Sequence, residues 1–297
     1  MPSLAQLRIF LAVINTGSFT AAADAIGLSQ SAVSHSVASL ERELGIALFA
    51  RERAGAVAIP PAERIADHAR KMLTLEEAIG READGVRGAE RGRVRLGTFP
   101  SVSTRVLPGL LGGMRLRHPG IEVIPLTGTD DEVRGWIAAG TVDVGVVTLP
   151  ARGMDTLPLA VDAYIALVPT AHPLAIRASV RVAELAGEPF VMGQPECERV
   201  VAAMFRRACA APRQRVVALD VATMLAMVQE GLGVTIVPEF AVPANVSGVS
   251  ALPLDPPERR HLALAVRSLA AAAPVVRSFL RHAEEWARSR GTLDTRP

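Results

Sequence analysis

The sequence predicts two unlike parts. A small all-α unit with a β-wing fills residues 1–60, and an α/β region of two subdomains fills residues 91–297, with one long helix, 61–90, between them. Subdomain I is placed near 91–162 and 268–290, subdomain II near 163–267. Three observations carry this reading. Apolar residues recur at helical spacing through the first 45 residues and are interrupted by Gly17, Gly27 and Gly45. A long helical stripe then runs from residue 61. From residue 91 the pattern turns to short strands alternating with helices, which is α/β patterning with mostly parallel sheets.

Composition narrows the class. The chain has 297 residues, 49% of them hydrophobic, enough for two or three packed domains and against disorder. Two cysteines, Cys197 and Cys209, are too few for a disulfide-held secreted domain, so a reducing cytoplasm is expected. Net charge is +2, and the four arginines of residues 1–60 (8, 42, 51 and 53) face four acids (24, 41, 43 and 52). Any nucleic-acid contact must therefore rest on where charges sit. No run approaches the roughly 18 apolar residues of a membrane span. Residues 9–14 have the apolarity of a signal-peptide core, but residues 1–7 carry no side-chain charge and no clean cleavage site follows. They read as a buried helix.

Each element has its own signals. Ser3 and Gln6 form a capping box ahead of Leu4, Leu7, Leu11 and Ile14, and Gly17 stops that helix. Ser18 caps a second helix that ends at Gly27. Ser29 caps a third, with Val33, Val37, Leu40 and Leu44 inward and Gly45 at its end. Two of these helices are joined by a three-residue turn, the spacing of a helix-turn-helix. Residues 46–59, with Phe49 and an Arg/Gly/Ala-rich loop, fit a β-wing. Pro61 suits a first helical position. Behind it Ile65, Ala69, Met72 and Ile79 form a coiled-coil-like stripe broken by Glu76, favouring a dimer seam over packing within one domain. Strands are expected at 93–97, 122–126, 142–147, 164–168, 190–192, 215–218 and 234–237, with helices at 101–117 and 131–139. Two such units in series imply a cleft between them, where ligands prefer to bind.

The outer face of the third helix holds Ser31, Ser34, His35 and Ala38, with Gln30 at its start. Small polar side chains enter a major groove without steric conflict, and Gln pairs adenine through two hydrogen bonds. Base contacts concentrate at that end of a recognition helix. By itself, this face without arginine reads equally as solvated surface.

Context decides. Residues 10–51 read F-L-A-V-I-N-T-G-S-F-T-A-A-A-D-A-I-G-L-S-Q-S-A-V-S-H-S-V-A-S-L-E-R-E-L-G-I-A-L-F-A-R. This string closely resembles the N-terminal signature of the LysR-type transcriptional regulators, above all in G-S-F-T-A-A-A, L-S-Q-S-A-V-S, L-E-R-E-L-G and L-F-A-R. Looser likenesses follow at residues 94–97, Leu107-Pro108, His118-Pro119, 143–146 and 231–238 (G-L-G-V-T-I-V-P). The resemblance implies a bacterial regulator: a winged helix-turn-helix, a linker helix, and an effector domain of the two-lobed periplasmic-binding-protein type II. It implies promoter DNA as partner, homodimers or homotetramers, a small-molecule effector, RNA polymerase as a candidate further contact, and no cofactor or metal. It implies DNA contacts at Ser18, Thr20, Gln30, Ser31, Ser34 and His35, with backbone contacts at Arg51 and Arg53 on the wing. Two departures stand out. Ala38 replaces a residue that is often basic, and Ile59-Pro60-Pro61-Ala62-Glu63 replaces the usual Leu-Thr-x-Ala-Gly.

For the effector the resemblance points between the subdomains, where Thr98, Ser101 and Ser103 surround the start of a helix. Thr127, Thr148, Gly193, Gln194 and Thr223 would join from other loops. The plainer role of each hydroxyl is a helix cap. Free N–H groups at a helix start suit a carboxylate, so a small anionic effector is expected. The two cysteines, 12 residues apart along one helix, would lie roughly 18 Å apart at about 1.5 Å per residue. A disulfide needs Cα atoms within about 7 Å, so packing cysteines are expected. None of the six histidines sits in H-E-x-x-H spacing, no phosphate loop occurs, and no enzyme is expected. The alternatives are a transport solute-binding protein, which leaves residues 1–60 unexplained, or an enzyme on the same two-lobed fold.

Overall fold

A computed structural model describes residues 1–52, 55–86, 91–193 and 195–290. The chain divides into two compact units, one closing with the long helix and the other opening at the first strand of the α/β region.

The first unit contains α1 (Leu4–Thr16), α2 (Phe19–Ile26), α3 (Gln30–Leu44), β1 (Phe49–Glu52), β2 (Gly55–Ala58) and α4 (Pro60–Val86). Its helix ends follow the sequence signals. Ser3 and Gln6 close a reciprocal capping box, and Ser18 and Ser29 accept from the Ala21 and Ala32 amides. Gly17, Gly27 and Gly45 all adopt the left-handed conformation that ends a helix. Leu7, Phe10, Val13, Ala22, Val33, Val37, Leu40 and Leu48 fill the core. Phe49, the first wing residue, packs edge-on against Phe10 (5.8 Å) and Phe19 (5.6 Å). Glu41 fixes the turn into the wing by accepting from the Leu48 amide at 2.7 Å.

Helix α4 has two halves. Ala62, Ala66 and Ala69 are buried in this core, with Ile65 and Leu73 packed beside them. Their small side chains let α4 lie close to α1. Glu76 then pairs with Arg8 of α1 at 2.7 Å, which explains the interruption in the apolar stripe.

The second unit contains β3 (Gly92–Thr98), α5 (Pro100–Arg105), α6 (Leu107–Arg117), β4 (Ile121–Thr127), α7 (Asp130–Ala139), β5 (Val144–Thr148) and the 15-residue β6 (Asp155–Pro169). It continues with β7 (Pro189–Met192), α8 (Pro195–Arg207), β8 (Gln214–Val217), α9 (Val221–Gln229), β9 (Thr235–Pro238), β10 (Val249–Pro253), β11 (Arg259–Val266) and α10 (Pro274–Ser289). In the first lobe β4, β3 and β5 run parallel, and β11 adds antiparallel to β5. The first half of β6 pairs with β11, and its second half pairs with β9 and β10 of the second lobe. One strand therefore serves both lobes. The first lobe buries Leu96, Leu110, Leu264 and Phe279 between sheet and α6 and α10. The second buries Phe190, Phe205, Val234 and Ile236.

Three expectations are corrected. The sheets are mixed rather than mostly parallel, because β6, β10 and β11 enter antiparallel. Strand β11, expected in subdomain II, pairs with β5 of the first lobe. Pro158 and Asp162 break the apolar run of β6, and a register shift leaves its Leu159 over between the partners of Leu262 and Ala263, while β11 opens on Arg259-Arg260-His261, so neither strand has a clean pattern. The helix expected at 101–117 divides at Val106 into α5 and α6. Pro108 lacks the N–H that a continuous helix needs there.

Gly233 leads into β9 beneath the Pro189 carbonyl oxygen, which would stand 2.4 Å from an added Cβ. Because that neighbour is backbone, it cannot yield by rotating a side chain. Gly233→Ala is expected to lower stability by about 2 kcal/mol or more. A thermal melt matching wild type would refute this close-approach reading.

Candidate DNA interface and effector cleft

The outer face of α3 is organised before any ligand arrives. Gln30, Ser31, His35 and Ala38 are exposed, and Ser34 is half-buried. Gln30 Nε2 donates to Ser34 Oγ at 2.9 Å, and the Ser31 and Ser29 hydroxyls lie 3.0 Å apart. Both pairs are local, so a base edge can replace either partner at small cost. Arg42, one turn beyond Ala38, bonds back to the Ala38 carbonyl at 3.4 Å. On α2, Thr20 is exposed at the first turn, and the Ser18 hydroxyl accepts from the Ala21 amide at 3.3 Å. The wing is a true hairpin, with Arg51 in register with Ala56. Arg53 lies outside the described residues.

Of the stripe on α4, Ala69 is buried and Ile65 half-buried within their own unit, so neither needs a second copy for cover. Met72, Leu75 and Ile79 are 46%, 65% and 72% exposed. These three mark an apolar edge one to two turns beyond the packed half.

In the second unit Thr98 ends β3 fully buried, Ser101 opens α5 buried, and Ser103 is half-buried. Ser103 Oγ donates to the Phe99 carbonyl at 3.2 Å and lies 3.4 Å from Thr98 Oγ1. Ser101 Oγ accepts from Arg260 Nη2 at 2.7 Å. Arg260 is gripped by Asp162, its cross-strand partner, through Nε at 2.8 Å and Nη2 at 2.6 Å. The other Asp162 oxygen accepts from the Phe240 amide at 3.1 Å. Burial lifts the Asp162 carboxyl above its usual range against the opposing pull of Arg260. Tyr164 lies close by: burial lifts its phenol, Arg260 opposes this, and Cys197, Asp162 and Asp130 add to the rise.

The other expected effector residues are more dispersed. Thr127 is exposed in register with Thr98. The Thr148 amide donates to Asp130 at 2.9 Å, and its carbonyl accepts from Arg134, tying it to α7. Gly193 is buried beside Cys197 and Met224. Gln194 lies outside the described residues. Thr223 donates its hydroxyl at 2.7 Å to Asp220, the residue that caps α9 by accepting from the Thr223 amide. Arg199 of α8 meets Asp131 of α7 at 2.6 Å, an exposed bridge between the lobes of the kind that adds little stability.

The helix-start argument for an anion weakens here. Helix α5 has only six residues, Pro100 has no N–H, and the Val102 and Ser103 amides both bond to the Phe99 carbonyl. The positive charge comes instead from Arg260, which sequence reasoning missed along with Asp162 and Tyr164. The signal was its partner Asp162, a charge inside the otherwise apolar run of β6, since such groups are rarely buried unless paired.

Residues 4–61 match the bacterial regulatory helix-turn-helix protein family, lysR type, and residues 87–288 match the LysR substrate binding domain. The chain belongs to the LysR family. This LysR-family chain is a transcriptional regulator, with a DNA-binding helix-turn-helix and a small-molecule-binding domain. It is 36% identical to the probable HTH-type transcriptional regulator LrrA of Synechococcus elongatus, over 94% of this chain and 95% of that one. It is 32% identical to a probable hydrogen peroxide-inducible genes activator of Streptomyces viridosporus, over 92% and 90%. Among solved structures it resembles CbnR, a LysR family transcriptional regulator, with a TM-score of 0.74 and 22% identity over 96% of this chain and 99% of that one. The transport-protein alternative is not favoured by these likenesses. Among the described residues no helix is long and apolar enough to cross a membrane.

The cysteines of this LysR-family chain are corrected: both are exposed rather than packed, and neither forms a disulfide. Cys197 lies in the first turn of α8 and Cys209 just past its end. An intrachain disulfide would require α8 to unwind, since the intact helix separates them well beyond bonding reach.

If α3 reads bases, Gln30→Ala and Ser34→Ala should each cost about 1–3 kcal/mol in specific DNA binding and leave non-specific binding nearly intact. Arg51→Ala should weaken all sequences alike and flatten the salt dependence. Titrations against specific and scrambled duplexes at several salt concentrations separate the two. Unchanged specific affinity in both α3 variants would sink this assignment.

Proposed function

We propose that this LysR-family regulator acts in the cytoplasm without catalysis, binds promoter DNA as a homodimer or homotetramer, and responds to a small anionic effector held between its lobes. The observation that carries the effector half is the Ser101–Arg260–Asp162 chain, which puts a fixed cation beside buried hydroxyls. Ser18, Thr20, Gln30, Ser31, Ser34 and His35 read or border bases, and Arg51 and Arg53 hold the backbone. Thr98, Ser101 and Ser103 form the effector's near wall. Thr127, Thr148, Gly193, Gln194 and Thr223 are the outer contacts. RNA polymerase remains a candidate partner.

Assembly is assigned to the exposed edge of α4. The region near Met72 and Ile79 is the seam; Ile65 and Ala69 support it from within one chain. An apolar edge of this kind on a long helix is covered most simply by the same edge of a second copy.

A mobility shift against DNA upstream of the chain's own coding region tests the reading. Wild type should retard that DNA and ignore a scrambled duplex. Met72→Glu and Ile79→Glu should shift the protein to smaller species on sizing and weaken retardation. Unchanged assembly in both variants would place the edge elsewhere, and failure of wild type to prefer any duplex would overturn the promoter reading.

A further inference from the structure

We propose that His282 is a proton-sensitive latch between α10 and α6: neutral, it holds the two helices together on the first lobe, and protonated, it releases them.

Helix α10 covers the first lobe. It buries Val276, Phe279, Leu280 and Ala283 in that lobe's core and packs against α6, β3 and β6. His282 is buried with them, only 3% exposed. Its Nε2 stands 3.2 Å from the Leu110 carbonyl oxygen of α6. A carbonyl only accepts, so Nε2 carries the proton and Nδ1 of the neutral ring is a bare lone pair. Nδ1 is sealed from solvent and has no hydrogen-bond partner among the described residues. Gly113 makes room for the ring, since a Cβ there would stand 3.1 Å from both Cε1 and Nε2. The neutral imidazole therefore fits, with one hydrogen bond made and one acceptor left unpaired.

A second proton finds no partner. It would sit on Nδ1, buried and facing no acceptor, so the charged ring loses its hydration without regaining a hydrogen bond. The surrounding charges add to this cost. His118, just past α6, faces the ring edge-on at 6.1 Å, and Arg117 is the last residue of α6. Glu285, one turn along α10, has the right sign to help, but Arg117 holds it at 3.0 Å. On the strands beneath, Arg93, Arg95 and Asp162 are engaged by Glu122, Asp143 and Arg260, and on the two helices Arg115 and Arg281 are exposed. Burial holds the imidazole below its ordinary range; the Leu110 carbonyl opposes this, Arg117 and His118 deepen it, and Glu285 opposes it again.

The direction of the response follows. The closed lobe keeps His282 neutral, and when α10 opens the ring returns to an ordinary imidazole pKa of about 6.5. Above that pH the latch is intact. Below it the open form alone takes up the proton, so opening is favoured by up to about tenfold per pH unit until the closed ring also titrates. Because α10 lies against β3 and β6, acid loosens the support of the strands that carry Thr98 and Asp162.

The test is hydrogen–deuterium exchange of the full chain at pH 7.5 and 5.5, corrected for the intrinsic pH dependence of exchange. Peptides covering residues 107–117 and 274–289 are compared with one covering β5, and a melt at pH 7.5 checks the folding of each variant. In wild type, protection of α6 and α10 should fall about five- to tenfold more than that of β5. His282→Gln keeps a donor for the Leu110 carbonyl and does not titrate, so the excess should shrink to less than about twofold. Arg117→Gln frees Glu285 to balance a protonated ring and should reduce the excess at least about twofold. An equal loss in β5 and the two helices, or no loss, would overturn the proposal. So would an undiminished excess in His282→Gln, or in Arg117→Gln should the first variant not fold.

Discussion

The second unit depends on one constraint: two neighbouring strands, β6 and β11, must run together where one lobe gives way to the other. Their cross-strand pair, Asp162 and Arg260, lies at that place. Taking both charges out of water is costly, and an apolar pair of similar size would often be as stable or more so. What the ionic pair adds is direction. It ties β6 to β11, reaches Ser101 on α5 of the first lobe, and holds the Phe240 amide following β9 of the second. Four segments distant in sequence thus share one buried hydrogen-bonded node. Two side chains, those of Arg260 and Asp162, link Ser101 to the Phe240 amide by hydrogen bonds.

The first unit solves a different problem. Some 60 residues bury too small a fraction of their surface to be more than marginally stable. The chain extends that core with the first half of α4, whose alanines add apolar burial without bulk. The wing is fastened in the same economical way. Phe49 enters between Phe10 and Phe19, and Glu41 replaces the backbone partner that the Leu48 amide lacks. Consequently the residues that can meet DNA need carry no structural weight. Gln30 and Ser34 bond only to each other within the described contacts, and both can exchange that bond for a better one.

Legibility in the sequence followed the range of the interactions. The three N-terminal helices were readable because their caps are local: a serine accepts from an amide three residues on, and a glycine adopts the left-handed turn that other residues resist. The strands β3, β4, β5 and β7 were readable as apolar runs near their observed places. The second half of β6 was readable too, at 164–168; its first half and β11 were not, because Pro158 and Asp162 make sense only against partners about a hundred residues away. The cleft shows the same division. Ser101 and Ser103 do stand beside a helix start, but the charge that meets Ser101 is Arg260, a contact between residues 159 apart that no local spacing reveals. Cys197 and Cys209 were misread because the exposure of a residue in the first turn of a helix, or just past its end, depends on packing that spacing alone does not reveal.

Within the first unit, charge bears on both DNA contact and assembly. Residues 1–60 carry no net charge, and Ala38 stands where a basic residue is usual in this family. Each phosphate contact contributes about 0.9 to the slope of log affinity against log salt. With only four arginines in that stretch, one of them paired to Glu76, a single copy makes few such contacts. Few phosphate contacts per copy mean that linking copies would raise affinity. Met72, Leu75 and Ile79 are the exposed apolar residues of the seam proposed above. When two modules are linked, the second binding event becomes intramolecular and gains a high effective concentration, provided the geometry lets both engage. A recognition helix poor in charge and an apolar edge on α4 are then two halves of one solution. On the proposed reading, a helix with little charge does not bind every sequence, and assembly supplies the affinity that further charges would have given.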